Sequence, residues 1–362
     1  MYRRRIKRPP PPTFGETLEE LKYSIDEHGH LIDESGKQYV FDLKAKNREY
    51  QEAHARALGD AIMRIMIKRI EDECGMVKAT VPVDAEGTDT PYAHILISND
   101  AKDCKRLLVL VASTNESLGS WSRRLLANHH VEIGSMLSVV RWARQEGFGV
   151  LITNPNTHFW VDGCPSLTLP INIKKQYKMI PNSGSPEEHV DYVLRQYVQT
   201  FASREIFFIA HKYGGHALIQ ALHEQFDAFK DRVSAVAVID SSHTITPYPE
   251  SKFRKWLSLN TVTYMQSEQG EKGKVEFREI VGCNCVMAGS QEFDFTIVDA
   301  MPDIFKFFQA RKDRDNTLEK HMNEIVPLRE DDPTTAMVAF DADDGVDDEA
   351  DDENVDETVV DG

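Results

Sequence analysis

A sharp turn between a strand and a helix is where the sequence could do chemistry. Residues 205–210, which are apolar from 206 onward, predict a strand, and residues 215–225 predict a helix. The turn between them and its two edges hold Ala210, His211, Lys212, Tyr213, Gly214 and Gly215. Small residues two before and two after Lys212 permit a strained backbone that presents its side chain at the strand end. A lysine there can attack a carbonyl to form a Schiff base, but only where its surroundings remove the ammonium charge.

The turn resembles the nucleophile elbow of α/β-hydrolases, G-x-S-x-G, in which a serine occupies the position of Lys212. That serine loses its proton to a histidine, and the triad follows the chain order nucleophile, acid, histidine. Asp240 follows the next predicted strand, where an acid could lie. No histidine occurs between His243 and His321. We therefore predict a degenerate elbow and no catalytic residue.

Other polar residues at strand ends are candidates for a pocket and not for catalysis. Ser113 and Asn115 follow the strand predicted at 106–112, where a hydrolase would have its oxyanion loop. Ser241 and His243 are close in sequence, which favours a local turn over a triad, because triad partners are neighbours in space. The sequence has no glycine-rich phosphate loop and no set of residues at metal-ligand spacing, so we assign no cofactor and no metal.

Strands that alternate with helices predict an α/β fold with a mostly parallel sheet flanked by helices. Region 241–282 breaks this rhythm and is predicted to be an excursion over one end of the sheet. The predicted strands are 92–97, 106–112, 148–153, 205–210, 232–239 and 284–288, and the predicted helices are 47–73, 133–145, 186–202, 215–225 and 301–312.

Charge divides the 362 residues into three parts. Residues 1–12 are basic and proline-rich, and we predict that they form a disordered arm. This arm is either a nuclear-import signal or a solvated terminus without a specific function. Residues 13–328 predict one folded domain. The segment 330–362 holds fifteen Asp and Glu and no Lys or Arg, so most of the net charge of −17 is there and residues 1–329 carry about −2. Such a run repels itself, and we predict a disordered acidic tail over 329–362.

The same composition bears on location and partners. Five cysteines at irregular spacing predict reduced thiols, and no apolar run is typical of a secretory signal or a membrane span. We therefore expect a protein of the nucleus and cytoplasm that does not bind membranes. A nearly neutral body predicts no broad basic face and no direct sequence-specific binding to nucleic acid.

Five segments, in the right order, resemble the argonaute-binding-protein-two domain family, which includes the animal cotranscriptional splicing regulators. They are Phe14-Gly15 with Asp26-Glu27-His28-Gly29, Ser117–Leu125, Gly147–Val150 with Asn154-Pro155-Asn156, Ala210-His211 with Gly214-Gly215, and Ala288-Gly289 with Asp294-Phe295-Thr296. The resemblance that rests on them covers most of residues 13–312. The family's elbow commonly reads A-H-S, and its late histidine falls at Phe293 here.

The resemblance implies an α/β-hydrolase-like fold that is used for binding. It implies as partners an argonaute-type protein and chromatin or splicing factors, in small-RNA-directed silencing, heterochromatin or splicing in the nucleus. With Lys212 and Phe293 in the two catalytic positions, we predict a pseudo-hydrolase that serves as an adaptor. The alternatives are an α/β-hydrolase-fold enzyme and a small-molecule sensor that uses the degenerate pocket.

Overall fold

The computed structural model describes residues 14–313, except 42–46, 170–175, 268 and 270. The predicted arm 1–12 and tail 329–362 lie outside the described residues. The strands are β1 (Tyr23–Ile25), β2 (Leu31–Asp33), β3 (Met76–Val81), β4 (Ala93–Ser98), β5 (Arg106–Val111), β6 (Gly149–Ile152), β7 (Phe159–Val161), β8 (Cys164–Ser166), β9 (Tyr177–Met179), β10 (Glu205–His211), β11 (Val233–Ile239), β12 (Thr261–Met265), β13 (Lys272–Arg278) and β14 (Cys283–Ala288). The helices are α1 (Arg48–Cys74), α2 (Arg123–Asn128), α3 (Leu137–Gln145), α4 (Pro186–Gln196), α5 (Tyr213–Glu224), α6 (Phe226–Phe229), α7 (Ser251–Asn260) and α8 (Thr296–Arg311), with 3-10 turns at Val198–Thr200 and Phe293–Phe295.

Nine strands form the main sheet, in the order β13-β14-β12-β11-β10-β5-β6-β4-β3. The six strands from β14 to β6 pair in parallel. Strand β13 pairs antiparallel with β14, and β4 pairs antiparallel with both β6 and β3. This order, with an antiparallel strand near one edge and helices on both faces, is that of an α/β-hydrolase. The predicted fold class is therefore confirmed.

Strand β10 lies near the middle of the sheet, and its side chains alternate between two cores. Phe207 and Ile209 face the core that α1, α2, α3 and α8 cover, and Ile206 and Phe208 face the core under α4, α5 and α7. All seven residues of β10 are buried. Burial on both faces explains why the sequence of this strand is continuously apolar instead of alternating.

The prediction for region 241–282 is wrong in its second half. Thr261–Met265 is β12, inside the sheet between β11 and β14, and Lys272–Arg278 is β13 at its edge. Two threonines interrupt the apolar pattern of β12, and both are buried in the finished sheet. The short antiparallel sheet β8-β7-β9 was not predicted, because three-residue strands carry no readable period.

Three helices also differ from their predicted bounds by four residues or more, and the first of them, predicted over 133–145, begins at Leu137. The helix expected over 186–202 ends at Gln196 and continues as a 3-10 turn. The closing helix begins at Thr296, so Pro302 lies inside it and not near its start. Within the described part of the chain, no helix is both long and apolar enough to cross a membrane.

Candidate functional site

The turn after β10 keeps the geometry of an elbow although it carries a lysine. Lys212 has φ 49° and ψ −119°, in the positive-φ region that side-chain-bearing residues seldom adopt. Its amide N–H donates to the Ile239 carbonyl oxygen at 2.8 Å, and α5 begins at the next residue. The strand, the strained residue and the helix therefore place the Lys212 side chain at the carboxyl end of β10.

Two glycines permit this turn because helix α5 lies against the neighbouring strands. A Cβ atom on Gly214 would lie 2.3 Å from the carbonyl oxygen of Ala112, just beyond β5. A Cβ atom on Gly215 would lie 2.3 Å from Ser241 Oγ, just beyond β11. Both separations are shorter than a van der Waals contact, so any larger residue requires the helix to move.

The lysine contacts a carboxylate from the turn that follows β14. Lys212 Nζ lies 3.3 Å from Asp294 Oδ1, and Arg124 of α2 lies 3.1 Å from Asp294 Oδ2. The Lys212 side chain is 22% exposed and that of Asp294 is 16% exposed, so solvent screens this pair only partly. Phe293, the predicted position of the late histidine, begins this 3-10 turn, and the residue after it supplies the group that faces Lys212.

Asp240 occupies the end of β11, the predicted acid position. Its backbone has φ 45°, and its Oδ1 accepts a hydrogen bond from the Gln266 amide at 2.9 Å. Burial raises the pKa of the Asp240 carboxyl, against the opposing effects of the Gln266 amide, the Thr296 hydroxyl and the Lys212 charge. The carboxyl thus joins the ends of β11 and β12 beside the charged pair.

The loop after β5 is built around a buried carboxyl that the sequence did not single out. The Asn156 side chain donates to the carbonyl oxygens of Ser113 and Glu116, at 2.7 and 2.9 Å, and Asn115 has φ 63°. Glu116 Oε2 accepts from Ser120 Oγ at 2.8 Å. Burial raises the pKa of Glu116, although Ser120 and the charges of nearby cations lower it. One of these cations is Lys212, so the loop and the elbow are electrostatically coupled.

The segment from Trp121 to Arg124 connects these parts. The Trp121 carbonyl oxygen lies 3.2 Å from His211 Nδ1, the Arg123 amide donates to Glu116 at 3.0 Å, and Arg124 contacts Asp294. This segment belongs to the family-like motif of residues 117–125. Its residues therefore hold the elbow, the loop after β5 and the turn after β14 in place.

His211 is buried behind the turn, packed edge to face against the Trp121 ring. Burial, with a smaller effect of the Lys212 charge, lowers its pKa to about 3, so the ring is neutral at pH 7. Tyr213, on the outer side of the turn, donates its hydroxyl to Glu187 of α4. His243 Nδ1 lies 2.8 Å from Ser241 Oγ, which is the local turn contact expected from their spacing.

The site thus combines one lysine and two arginines with buried or half-buried carboxyls. Asp294 and Glu116 were missed as site residues; the signal for Asp294 was the acidic position of the family-like block at 294–296. The structure describes no group of three or more His, Cys, Asp or Glu residues that could hold a metal ion. What this arrangement can do is fix charge and bind charged or polar groups.

The first prediction concerns the glycines of the elbow. Gly215→Ala should destabilise the chain by about 2 kcal/mol, and Ser241→Gly should relieve much of that loss, because the clash is with a side chain. Gly214→Ala should cost about 3 kcal/mol or more, with no relief from Ser241→Gly, because its clash is with the backbone of Ala112. Urea unfolding of the single and double variants measures these effects.

Gly59→Ala in α1 is the matched control. It is also a glycine inside a helix, but its added Cβ atom would meet only the flexible Arg123 side chain, at 3.3 Å. Higher helix propensity should make this variant neutral or up to about 1 kcal/mol more stable. Equal losses for Gly214→Ala and Gly59→Ala would contradict the close approach of α5 to β5.

The second prediction concerns the pair of Lys212 and Asp294. A double-mutant cycle with Lys212→Met and Asp294→Asn should give a coupling of about 1 kcal/mol in urea unfolding, because both groups are mostly shielded from water. The exposed pair of Lys274 and Glu271, 3.0 Å apart, provides the control and should give about 0.3 kcal/mol. Equal coupling energies in the two cycles would show that the Lys212 pair stabilises the protein no more than an exposed ion pair does.

Solved structures that align with the chain include hydrolases. The structure of the histone deacetylase Clr3 aligns with a TM-score of 0.45 and 14% identity, and covers 76% of this chain and 46% of that chain. A Pyrobaculum calidifontis esterase aligns with a TM-score of 0.32 and 12% identity, and covers 64% of this chain and 76% of that chain.

Curated proteins are similar over most of their length. The cotranscriptional regulator ARB2A homolog of Gallus gallus is 29% identical, covering 86% of this chain and 84% of that protein. Human cotranscriptional regulator ARB2A is 28% identical, covering 83% of this chain and 81% of that protein. The Dictyostelium discoideum homolog of this regulator is 20% identical, covering 78% of this chain and 79% of that protein. The family model of the Arb2 domain matches residues 14–271, which include the loop after β5, the elbow and the end of β11. The chain therefore belongs to the Arb2 domain family, as its motifs predicted.

Proposed function

We propose that this chain is a nuclear, non-catalytic regulator of the cotranscriptional type that acts by binding other proteins. The observation that carries the proposal is the contact of Lys212 with Asp294. In a hydrolase the corresponding contact joins a serine to a histidine, and it moves a proton. An ammonium has no lone pair with which to attack a substrate, and with the carboxylate opposite it forms an ion pair instead.

The names of the relatives also support a regulatory function. Proteins of Gallus gallus and Homo sapiens that match over most of this chain are called cotranscriptional regulators. A regulator of that kind works in the nucleus and contacts proteins of chromatin or of RNA processing. Within this proposal, the partner is an argonaute-type protein, and the processes are small-RNA-directed silencing, heterochromatin and splicing.

Restoring the serine tests the non-catalytic part of the proposal. Lys212→Ser should leave the hydrolysis of short p-nitrophenyl esters at the buffer rate, because the turn that faces the elbow carries Asp294 and not a histidine. The matched variant with Asp294→His in addition places an imidazole opposite the serine, and should be the first to release nitrophenol. Turnover by Lys212→Ser alone contradicts the proposal. So does wild-type turnover that Lys212→Met abolishes.

Affinity purification tests the partner. The tagged full-length chain is recovered from nuclear extract, with and without RNase, and its companions are identified by mass spectrometry. We expect an argonaute-type protein that survives RNase, because the proposal requires contact between proteins. If neither an argonaute nor a chromatin or splicing factor is recovered, the result contradicts the proposed adaptor function.

A further inference from the structure

Five cations form a strip beside the elbow, from the middle of α1 across α2. We call it the cationic strip, and its members are Arg56, Arg64, Arg123, Arg124 and Lys212. Arg56 is exposed, and the side chains of Arg64 and Arg124 are 56% and 61% exposed. Three guanidinium groups on this strip are therefore open to solvent.

Three carboxyls lie beneath the strip and connect its members. The charges of Arg123, Arg64 and Arg56 all act on Asp60, those of Arg123 and Lys212 act on Glu116, and Arg124 shares Asp294 with Lys212. Asp60 and Glu116 are partly buried, Arg123 Nε lies 4.0 Å from Glu116 Oε2, and burial raises the pKa of both acids.

The surface that solvent meets is consequently more positive than a count of the charges suggests. Exposed acids near the strip include Glu16, 3.7 Å from Arg64 with a side chain 83% exposed, and Glu52, which lies four residues before Arg56 and is paired with Arg48. The side chains of Glu116 and Asp294 are each 16% exposed, whereas those of Arg64 and Arg124 are more than half exposed, so an approaching polyanion meets the arginines first.

The first described residue, Phe14, lies near one end of the strip. Phe14 packs against Tyr50 and His54 of α1, with ring centroids 5.1 and 5.2 Å apart. His54 is two residues from Arg56 at the end of the strip. In the sequence, the five Lys and Arg of residues 3–8 precede Phe14 by only a few positions.

We propose that the acidic segment 330–362 of the same chain binds the cationic strip. This segment carries fifteen negative and no positive side chains within 33 residues. Its charge complements that of the strip, and its covalent attachment gives it an effective concentration on the order of millimolar. A separate polyanion such as RNA has to displace it.

The chain is long enough for this contact. Asp313, the last described residue, contacts Arg106 and Glu205, the first residues of β5 and β10. The elbow lies at the other end of β10, about 23 Å away at 3.3 Å per strand residue. The residues between Asp313 and position 330 span about 20–25 Å as a flexible coil and roughly 55–60 Å when extended.

The test is a titration with a synthetic, fluorescently labelled peptide of residues 330–362. It compares the wild-type chain with a full-length tail-neutral variant in which the fifteen acids of the tail are changed to Asn or Gln. Anisotropy at 50 mM salt should show at least tenfold tighter binding to the tail-neutral variant, because its own tail no longer occupies the strip. Binding should weaken by tenfold or more at 300 mM salt.

Charge reversal locates the contact. In the tail-neutral variant, Arg64→Glu with Arg124→Glu should lower the peptide affinity at least tenfold. The matched control is Arg195→Glu with Arg204→Glu, two exposed arginines away from the strip, and it should change the affinity less than threefold. If circular dichroism shows that the first reversal is misfolded, Arg64→Gln with Arg124→Gln replaces it, with an expected loss of at least threefold.

Several results would overturn the proposal. The tail does not bind the strip if the peptide fails to bind or if it binds the wild-type and tail-neutral chains equally. The same conclusion follows if the control reversal lowers the peptide affinity as much as the reversal on the strip. A 20-nucleotide polyuridine that binds wild-type and tail-neutral chains equally well would show that the strip is open and takes nucleic acid instead. Polyuridine binding by the tail-neutral variant alone agrees with a tail that screens the strip.

Discussion

Helix α5 begins so close to the ends of β5 and β11 that only glycine fits at its second and third residues. A Cβ atom at either position would lie 2.3 Å from a neighbouring oxygen atom. The residue before the helix must then turn through a positive φ to join strand to helix, whatever its side chain. This steric constraint, and not the chemistry of the side chain, maintains the elbow in this protein.

A strained residue costs on the order of 1–3 kcal/mol and persists only where its surroundings hold it. Here the surroundings include the Ile239 carbonyl, the contact with Asp294 and the packing of His211 against Trp121. Once the constraint exists, it carries any residue at position 212 to the carboxyl edge of the sheet. A lysine held there and mostly shielded from water requires a carboxylate, which explains why an acid faces it from the turn after β14.

The sequence predicts those parts of the fold that depend on long local patterns. The strands β5, β6, β10 and β11 are buried on both faces and are almost continuously apolar, and the glycines at 214 and 215 mark the elbow. It does not reveal β12, whose apolar run is short and interrupted by threonines. Nor does it reveal the partner of Lys212, which lies 82 positions further along the chain, because only the assembled sheet brings strand ends of distant sequence together.

The buried carboxyls of the site have a consequence for specificity. A carboxyl such as Glu116, held under Arg123 and Lys212, fixes the positions of those cations without cancelling their field outside the protein. In a hydrolase the same pocket directs its field at a developing oxyanion. With the nucleophile replaced by a paired lysine, the proposed non-catalytic function leaves no reaction for this field to act on. Under that proposal, an α/β-hydrolase scaffold becomes a binding protein by a change of one charge and its partner, while the turn that positions them stays the same.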